Sequence, residues 1–385
     1  METGSADPKL RWALNLSFVL FVIALAQTLA IVWLWQKKPV NHPRNHLGRP
    51  FSSPMPGNLV QAKYPSVDFS KIYPGLSSGE IDQLQRECFS VRYVFAPFVQ
   101  FKPVPVTNRF VQVSPAGFRS GAEAQPWPPR EEDFVVFVFG GSTTFSYGLP
   151  NDATVVAQLQ RELRQLWPDK RVQCYNFGRG FFFSTQERLL FELLLENGHI
   201  PDLAIFVDGV NDFSHADGKP RLTDELSRYV DGELAASPPP PPADAKSKAL
   251  AVARVINRLK NHARLTGALG EAYGVATVFI GQPVPFLDYP RTSETYPFET
   301  ALGGHELCAE FYPEFQKAAQ RGDFGSHFIW CGDVFSEAGT SMYADGIHYS
   351  ALGAGTLART MAKRIDEKLR LEAAALFQMR RQAGN

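Results

Sequence analysis

The chain has 385 residues, with 39 Lys and Arg balanced by 39 Asp and Glu, 44% hydrophobic residues and 20% charged ones. This balance excludes wholesale disorder. With no net charge and no basic stripe interleaved with aromatics, it also argues against a nucleic-acid partner. Cys88, Cys174, Cys308 and Cys331 lack CxxC or zinc-ligand spacing, so neither a metal site nor a cofactor is expected.

After a short tail (1–12), residues 13–35 form an uncharged apolar run flanked by Trp12, Trp33 and Trp35. At about 1.5 Å per residue this run is long enough to cross a bilayer core of about 30 Å. Ala24-Leu25-Ala26 also fits a signal-peptide cleavage site, but the apolar run continues past it, and the reading adopted is an uncleaved single-pass anchor. Lys37, Lys38, Arg44 and Arg49 on the far side would by strict count hold that side in the cytoplasm. Large domains translocate despite such bias, and an extracytoplasmic domain is expected. In that compartment Cys308 and Cys331 could pair, whereas Cys88 and Cys174 read as buried thiols.

Residues 36–57 read as a linker. Residues 58–131 form an aromatic-rich extension expected to pack on the main domain. Ser77 and Glu80 make a capping box before a short helix, and Val91 to Val106 reads as extended. From residue 132 to 385 strands and helices alternate. Strands are predicted over Phe134–Phe139, Arg171–Tyr175, Leu203–Val207, Val275–Ile280 and His327–Trp330. Helices are predicted over Thr154–Leu166, Ser184–Glu196, Leu250–Tyr273 and Ala351–Leu371. Ser184 with Glu187 suggests a second capping box. This alternation implies an α/β fold, with a parallel sheet covered on both faces and a site at the carboxyl ends of its strands. Insertions at 214–249, with its run Pro238 to Pro242, and at 282–304 interrupt the pattern.

Four short polar blocks carry the chemistry. Gly140-Gly141-Ser142-Thr143-Thr144 ends the first strand and offers a serine at a strand-to-helix turn, with its own N–H near any oxyanion. It is neither a phosphate loop nor a Gly-x-Ser-x-Gly elbow. Asn176-Phe177-Gly178-Arg179-Gly180 follows the second strand, where a glycine lets a backbone N–H approach a reacting carbonyl. Asp208-Gly209-Val210-Asn211-Asp212 follows the third, and the Asn211 amide suits an oxyanion hole. Asp345-Gly346-Ile347-His348 precedes the last helix. An imidazole there can take a serine proton near neutral pH, oriented by a carboxylate three residues earlier. Taken singly, each block also fits an ordinary capped or polar turn. Phe118 and Arg119 read as structural residues near the rim.

In this order the blocks resemble those of the SGNH, or GDSL-like, hydrolase family over about residues 132–365. The Gly-Gly-Ser-Thr-Thr version is similar to a bacterial, membrane-anchored branch. The resemblance implies a flavodoxin-like three-layer α/β/α sandwich with a five-stranded parallel sheet, and ester or acyl-transfer chemistry. It also implies Ser142 as nucleophile, His348 as base and then acid, and Asp345 as its orienter. The N–H groups of Ser142 and Gly180 and the Asn211 amide would form the oxyanion hole. The family's glycine stands further from the Asn than Gly180 does, so Gly178 and Gly180 are both candidates and Gly180 is preferred. Gly178 and Asp212 are expected to face the substrate.

The reading adopted is an esterase that removes a small acyl group from a glycan or other polar alcohol through an acyl-Ser142 intermediate. The alternatives are an O-acyltransferase with the same triad, modifying a surface polysaccharide, and a non-catalytic assembly or binding protein on the same fold.

Overall fold

In the computed structural model the described residues are 67–221 apart from 124, then 223, 244–290 and 305–383, with side chains described to 370. Two residues at 51–52 and short pieces of the first 28 residues are also described. Expectations that fall on 36–50, 53–66, 224–243 and 291–304 lie outside them. The chain divides into two compact units, 1–48 and 49–385. In the first, the described residues are helical, and the expected anchor at 13–35 falls mostly outside them. Among the described residues no helix is long and apolar enough to cross a membrane.

The second unit is built on five parallel strands: β6 (Phe134–Gly140), β7 (Val172–Asn176), β8 (Leu203–Asp208), β9 (Ala276–Gly281) and β10 (Phe328–Trp330). Their spatial order is β10-β9-β8-β6-β7. Every residue of β7 and β8 is buried, so helices cover both faces. On one side α4 (Val155–Leu166) packs against α9 (Ala351–Ala383) and β7. Separately, α5 (Ser184–Glu196) packs against α7 (Ala245–Tyr273), β6 and β8. Val136, Phe137, Val138 and Phe139 of β6 are fully buried. Each contributes about 1.5–3 kcal/mol of transfer free energy.

The chain order reverses between β6 and β8, which pair with Gly140 opposite Val207. Loops leaving neighbouring strands to opposite sides open a crevice at such a reversal. The Ser142 block follows β6 and the Asn211 block follows β8, so the topology brings them to one place.

Residues 67–131 do pack on this domain. After α1 (Phe69–Ile72), α2 (Ser78–Phe89) has the expected capping box, with Ser77 and Glu80 bonded reciprocally. The extended stretch is a hairpin, β2 (Arg92–Ala96) with β3 (Gln100–Pro103), preceded in the sheet by β1 (Phe51–Ser52). A smaller pair, β4 (Val106–Thr107) and β5 (Gln112–Val113), leads to Arg119, whose N–H donates to Asn176 O at 2.9 Å. The extension thereby covers the edge of β7.

Three expectations are corrected. The cap of α5 is Phe183, with no side-chain cap bond; the Ser184 hydroxyl instead donates to Asp212 (2.6 Å) and Glu187 is buried. A helix not anticipated, α8 (Glu306–Gln320), buries Cys308, Phe311, Tyr312, Phe315 and Ala318 at helical spacing; Pro313 in its middle disguised it. All four cysteines are buried and free, so Cys308 and Cys331 are not bonded.

Candidate active site

The serine turn is shaped by close approach. A Cβ on Gly140 would lie 2.1 Å from Thr144 Oγ1, and one on Gly141 would lie 2.2 Å from Asn211 Nδ2. Only glycines let the chain fold back into α3 (Ser142–Phe145) with the Asn211 amide against it. The turn ends at Ser146 in the left-handed conformation (φ 65°). Ser142 is half-buried, and its carbonyl accepts from the N–H groups of Ser146 (2.8 Å) and Tyr147 (3.2 Å).

Helix carbonyls at such an end need donors. Here Arg119, fully buried, supplies them. Its Nη1 donates to Phe145 O and Ser146 O, both at 2.7 Å, its Nη2 to Leu149 O, and its Nε to Asn151 Oδ1 at 3.3 Å. Burial pulls its pKa below the ordinary guanidinium value.

The imidazole stands on a tight loop. Asp345 Oδ1 accepts the N–H groups of Ile347 (2.8 Å) and His348 (2.7 Å), and its Oδ2 meets His348 Nδ1 at 2.6 Å. Burial works to raise the Asp345 pKa. His348 and these hydrogen bonds outweigh it, and the carboxyl is held below its usual value. With Nδ1–H committed to the carboxylate, the Nε2 lone pair is left as the acceptor. His348 is buried and Nε2 has no hydrogen-bond partner. No hydrogen bond joins it to Ser142; such contacts tighten in complexes. Tyr147 touches both loops: its N–H is on Ser142 O and its ring centroid is 5.5 Å from that of His348.

At the second block, Asn176 Nδ2 donates to Thr144 O (2.8 Å) and Asn176 Oδ1 accepts the Gly178 N–H (3.0 Å). Gly178 packs directly on the serine turn, since a Cβ there would lie 2.4 Å from Phe145 N. The backbone of Gly180 lies under the Tyr93 and Tyr147 hydroxyls. Among the residues of this turn, it is Phe181 that takes a left-handed conformation, with φ 66°. Asn211 Nδ2 donates to Phe182 O at 2.6 Å, joining the second and third blocks.

Asp212 does not face substrate. It is fully buried, accepting from Ser184 Oγ and from Arg258 Nε (3.3 Å). Beside it, burial raises the pKa of both Glu187 and Asp208 well above normal, with neighbouring carboxylates adding to the shift. His262 Nε2 lies 3.5 Å from Asp208 Oδ2, but burial pushes its pKa down to about 3. It is therefore neutral near pH 7, and the contact is not an ion pair.

Sequence reasoning missed the extension's part in the site. Phe89 stacks on Tyr147 (5.3 Å) and meets His348 edge-on (6.2 Å), and Tyr93 pairs its hydroxyl with that of Tyr147. Burial raises the Tyr93 pKa, with the Tyr147 and Gly180 hydrogen bonds opposing. Burial and the Asp345 charge raise that of Tyr73. Gln282 also escapes the sequence reading, since it stands two residues past the predicted strand Val275–Ile280, at the start of the 282–304 insertion.

No family model matches the chain. No curated protein matches it either. Solved structures do. A lipase/acylhydrolase from Enterococcus faecalis is 18% identical, with 61% of this chain and 96% of that one covered, at a TM-score of 0.37. A protein assigned as a lipolytic member of the G-D-S-L family from Desulfitobacterium hafniense is 13% identical (60% and 99% covered, TM-score 0.36). An acetyl-xylooligosaccharide esterase variant from Geobacillus is 14% identical (60% and 92%, TM-score 0.35). These three solved structures are described as a lipase/acylhydrolase, a lipolytic protein of the G-D-S-L family and an acetyl-xylooligosaccharide esterase, while the fold assignment of this chain rests on the strand order and register described above.

Proposed function

We propose that the chain is a serine-dependent hydrolase of carboxylic esters. One observation carries this reading: His348 has Nδ1 fixed by Asp345 and Nε2 buried without a partner, beside the turn that presents the half-buried Ser142. An imidazole so held is poised to accept a proton.

Ser142 Oγ attacks the ester carbonyl carbon as its proton passes to His348 Nε2. The carbonyl oxygen takes the negative charge, which the Ser142 N–H and the Asn211 amide stabilise, and the Gly180 N–H joins them when it leaves the Tyr93 hydroxyl. The C–O bond to the alcohol breaks, the alcohol leaves with the proton from Nε2, and an acyl-Ser142 ester remains. Water, deprotonated by Nε2, attacks this ester; the carboxylic acid leaves and the proton returns to Ser142. Asp345 keeps the ring oriented and stabilises its cationic form.

The acyl group is small and the alcohol polar. The aromatics that could line an acyl tunnel, Phe181 to Phe183, Phe213 and Phe286, each have packing partners: Phe181 with Arg221, Phe182 with Phe101, Phe183 with His215 and Arg258, Phe213 with Phe311, Tyr312 and Phe315, and Phe286 with Tyr312. We further propose that residues 13–35 hold the enzyme at a membrane with this domain outside the cytoplasm; protease accessibility in intact cells tests that side.

A fluorophosphonate probe should label the wild-type chain at Ser142, and Ser142→Ala should be neither labelled nor active. Undiminished hydrolysis of p-nitrophenyl acetate by Ser142→Ala would sink the assignment. A preference for acyl chains of roughly eight or more carbons, which need a deep apolar pocket, would overturn the small-acyl reading alone.

A further inference from the structure

We infer that Gln282 is a positioning residue that sets the serine turn against the imidazole loop; this rests on the serine-hydrolase reading above. Gln282 follows β9 at the carboxyl end of the sheet and is buried. Its Nε2 donates to Thr143 Oγ1 (3.3 Å) and to Tyr349 Oη (3.3 Å), and its Oε1 lies 3.5 Å from Thr143 Oγ1. Thr143 is the neighbour of Ser142 and Tyr349 is the neighbour of His348. One side chain therefore spans the two loops whose separation decides whether Nε2 can reach Oγ.

The backbone of Gln282 is itself fixed. Its N–H donates to Asp208 O (3.1 Å), at the root of the Asn211 block, and its carbonyl accepts the Tyr312 hydroxyl (2.6 Å). Tyr349 gains a further anchor by donating to Pro283 O (3.0 Å). Three of the four blocks thus refer their positions to this residue. The loops after β6 and before α9 have no backbone pairing with each other among the described hydrogen bonds, and a buried amide with donors and an acceptor can tie them without a substrate present.

A group that only orients the reacting atoms should affect the rate of attack and leave ground-state binding alone. The test uses the full-length chain and Gln282→Met, which keeps the length and removes the hydrogen bonds. With p-nitrophenyl acetate, kcat per titrated active site should fall about 10- to 100-fold with KM within about twofold. The rate of fluorophosphonate labelling at Ser142 should fall in parallel. A purely structural role would lower the fraction of enzyme that labels but not the rate per labelled site. A rate per site within about twofold of wild type overturns the proposal. If Gln282→Met does not fold, Tyr349→Phe removes a single hydroxyl from the same tie. It removes the bonds to both Gln282 and Pro283 O and should slow labelling at least about three- to tenfold, and an unchanged rate overturns the proposal equally. The two readings fail separately: a wild-type chain that never labels at Ser142 removes the hydrolase reading, whereas wild type and variant labelling equally fast removes only the role of Gln282.

Discussion

Replacing Arg119 by Met tests how the serine turn is held. The guanidinium is fully buried with no carboxylate bonded to it, and it satisfies the carbonyls of Phe145, Ser146 and Leu149 together with Asn151 Oδ1. Its ring-face contact with Phe145, with the guanidinium carbon 4.9 Å from the ring centroid, adds to the packing. Each buried acceptor left unpaired costs about 1–3 kcal/mol. Ser146 O keeps the Leu149 N–H, Asn151 Oδ1 keeps the Gln112 N–H and Leu149 O keeps the Cys88 thiol, so Phe145 O alone loses its donor outright. With about 0.5–1.5 kcal/mol for each of the other three bonds, the upper bound is roughly 3–8 kcal/mol, reduced where the turn relaxes or water enters. Against this, removing a buried cation returns several kcal/mol of desolvation cost. The balance is a loss of about 2–4 kcal/mol, large for one substitution. Urea unfolding followed by tryptophan fluorescence should show a lower midpoint with an unchanged m value. Arg119→Lys, which keeps the charge but cannot fork to four acceptors, should fall between. A Met variant within about 1 kcal/mol of wild type would refute the idea that these bonds hold the turn.

Two further outcomes follow from the buried carboxyls. The Glu187 pKa is raised on folding, so the stability it contributes is complete below the unfolded value and is lost as pH rises towards the folded one. Glu187→Gln should therefore gain stability relative to wild type as pH rises from 5 to 8, and a pH-independent difference in urea midpoint would contradict this. The Asp345 pKa is lowered, so its stabilisation is present above the unfolded value and lost as pH falls through the folded one. Asp345→Asn keeps the loop but reverses the imidazole tautomer, and kcat for p-nitrophenyl acetate at pH 7 should drop roughly 10³- to 10⁴-fold; a drop under tenfold would count against the pairing.

Much of the sheet was legible because a strand buried on both faces must be apolar throughout, as Phe134 to Phe139 is. The serine and histidine blocks stand out in the sequence by their order along the chain, which resembles that of a known hydrolase family; taken singly each is an ordinary polar turn. What escaped the sequence were contacts between segments distant along the chain. Asp212 reads as a pocket residue by its place beside Asn211, yet in the short helix Val210–Ser214 it turns inward to Ser184 and Arg258. Ser184 and Glu187 have capping-box spacing, but tertiary partners claimed both side chains before the helix end could. Gly180 looked like the special residue of its turn, whereas the left-handed position belongs to Phe181, whose side chain gives no hint of it.

The extension shows why the site needs more than the sheet. The strand order delivers Ser142 and Asn211 to one crevice, but it does not fix the imidazole, which stands on a loop before the last helix. That loop is closed by its own short ladder: Ala344 N–H to His348 O (2.7 Å) and Ser350 N–H to Met342 O (2.9 Å). Its outer side is then covered by residues from before the first core strand, with Phe89 against the His348 ring and Tyr73 near enough for the Asp345 charge to shift its phenol. These same residues bury the Asp345–His348 pair. Burial raises the cost of separating the Asp345 carboxylate from the Nδ1–H and strengthens the bond that fixes the tautomer. The aromatic segment thus sets the dielectric around the Asp345–His348 pair, and its apolar composition is what makes that dielectric low.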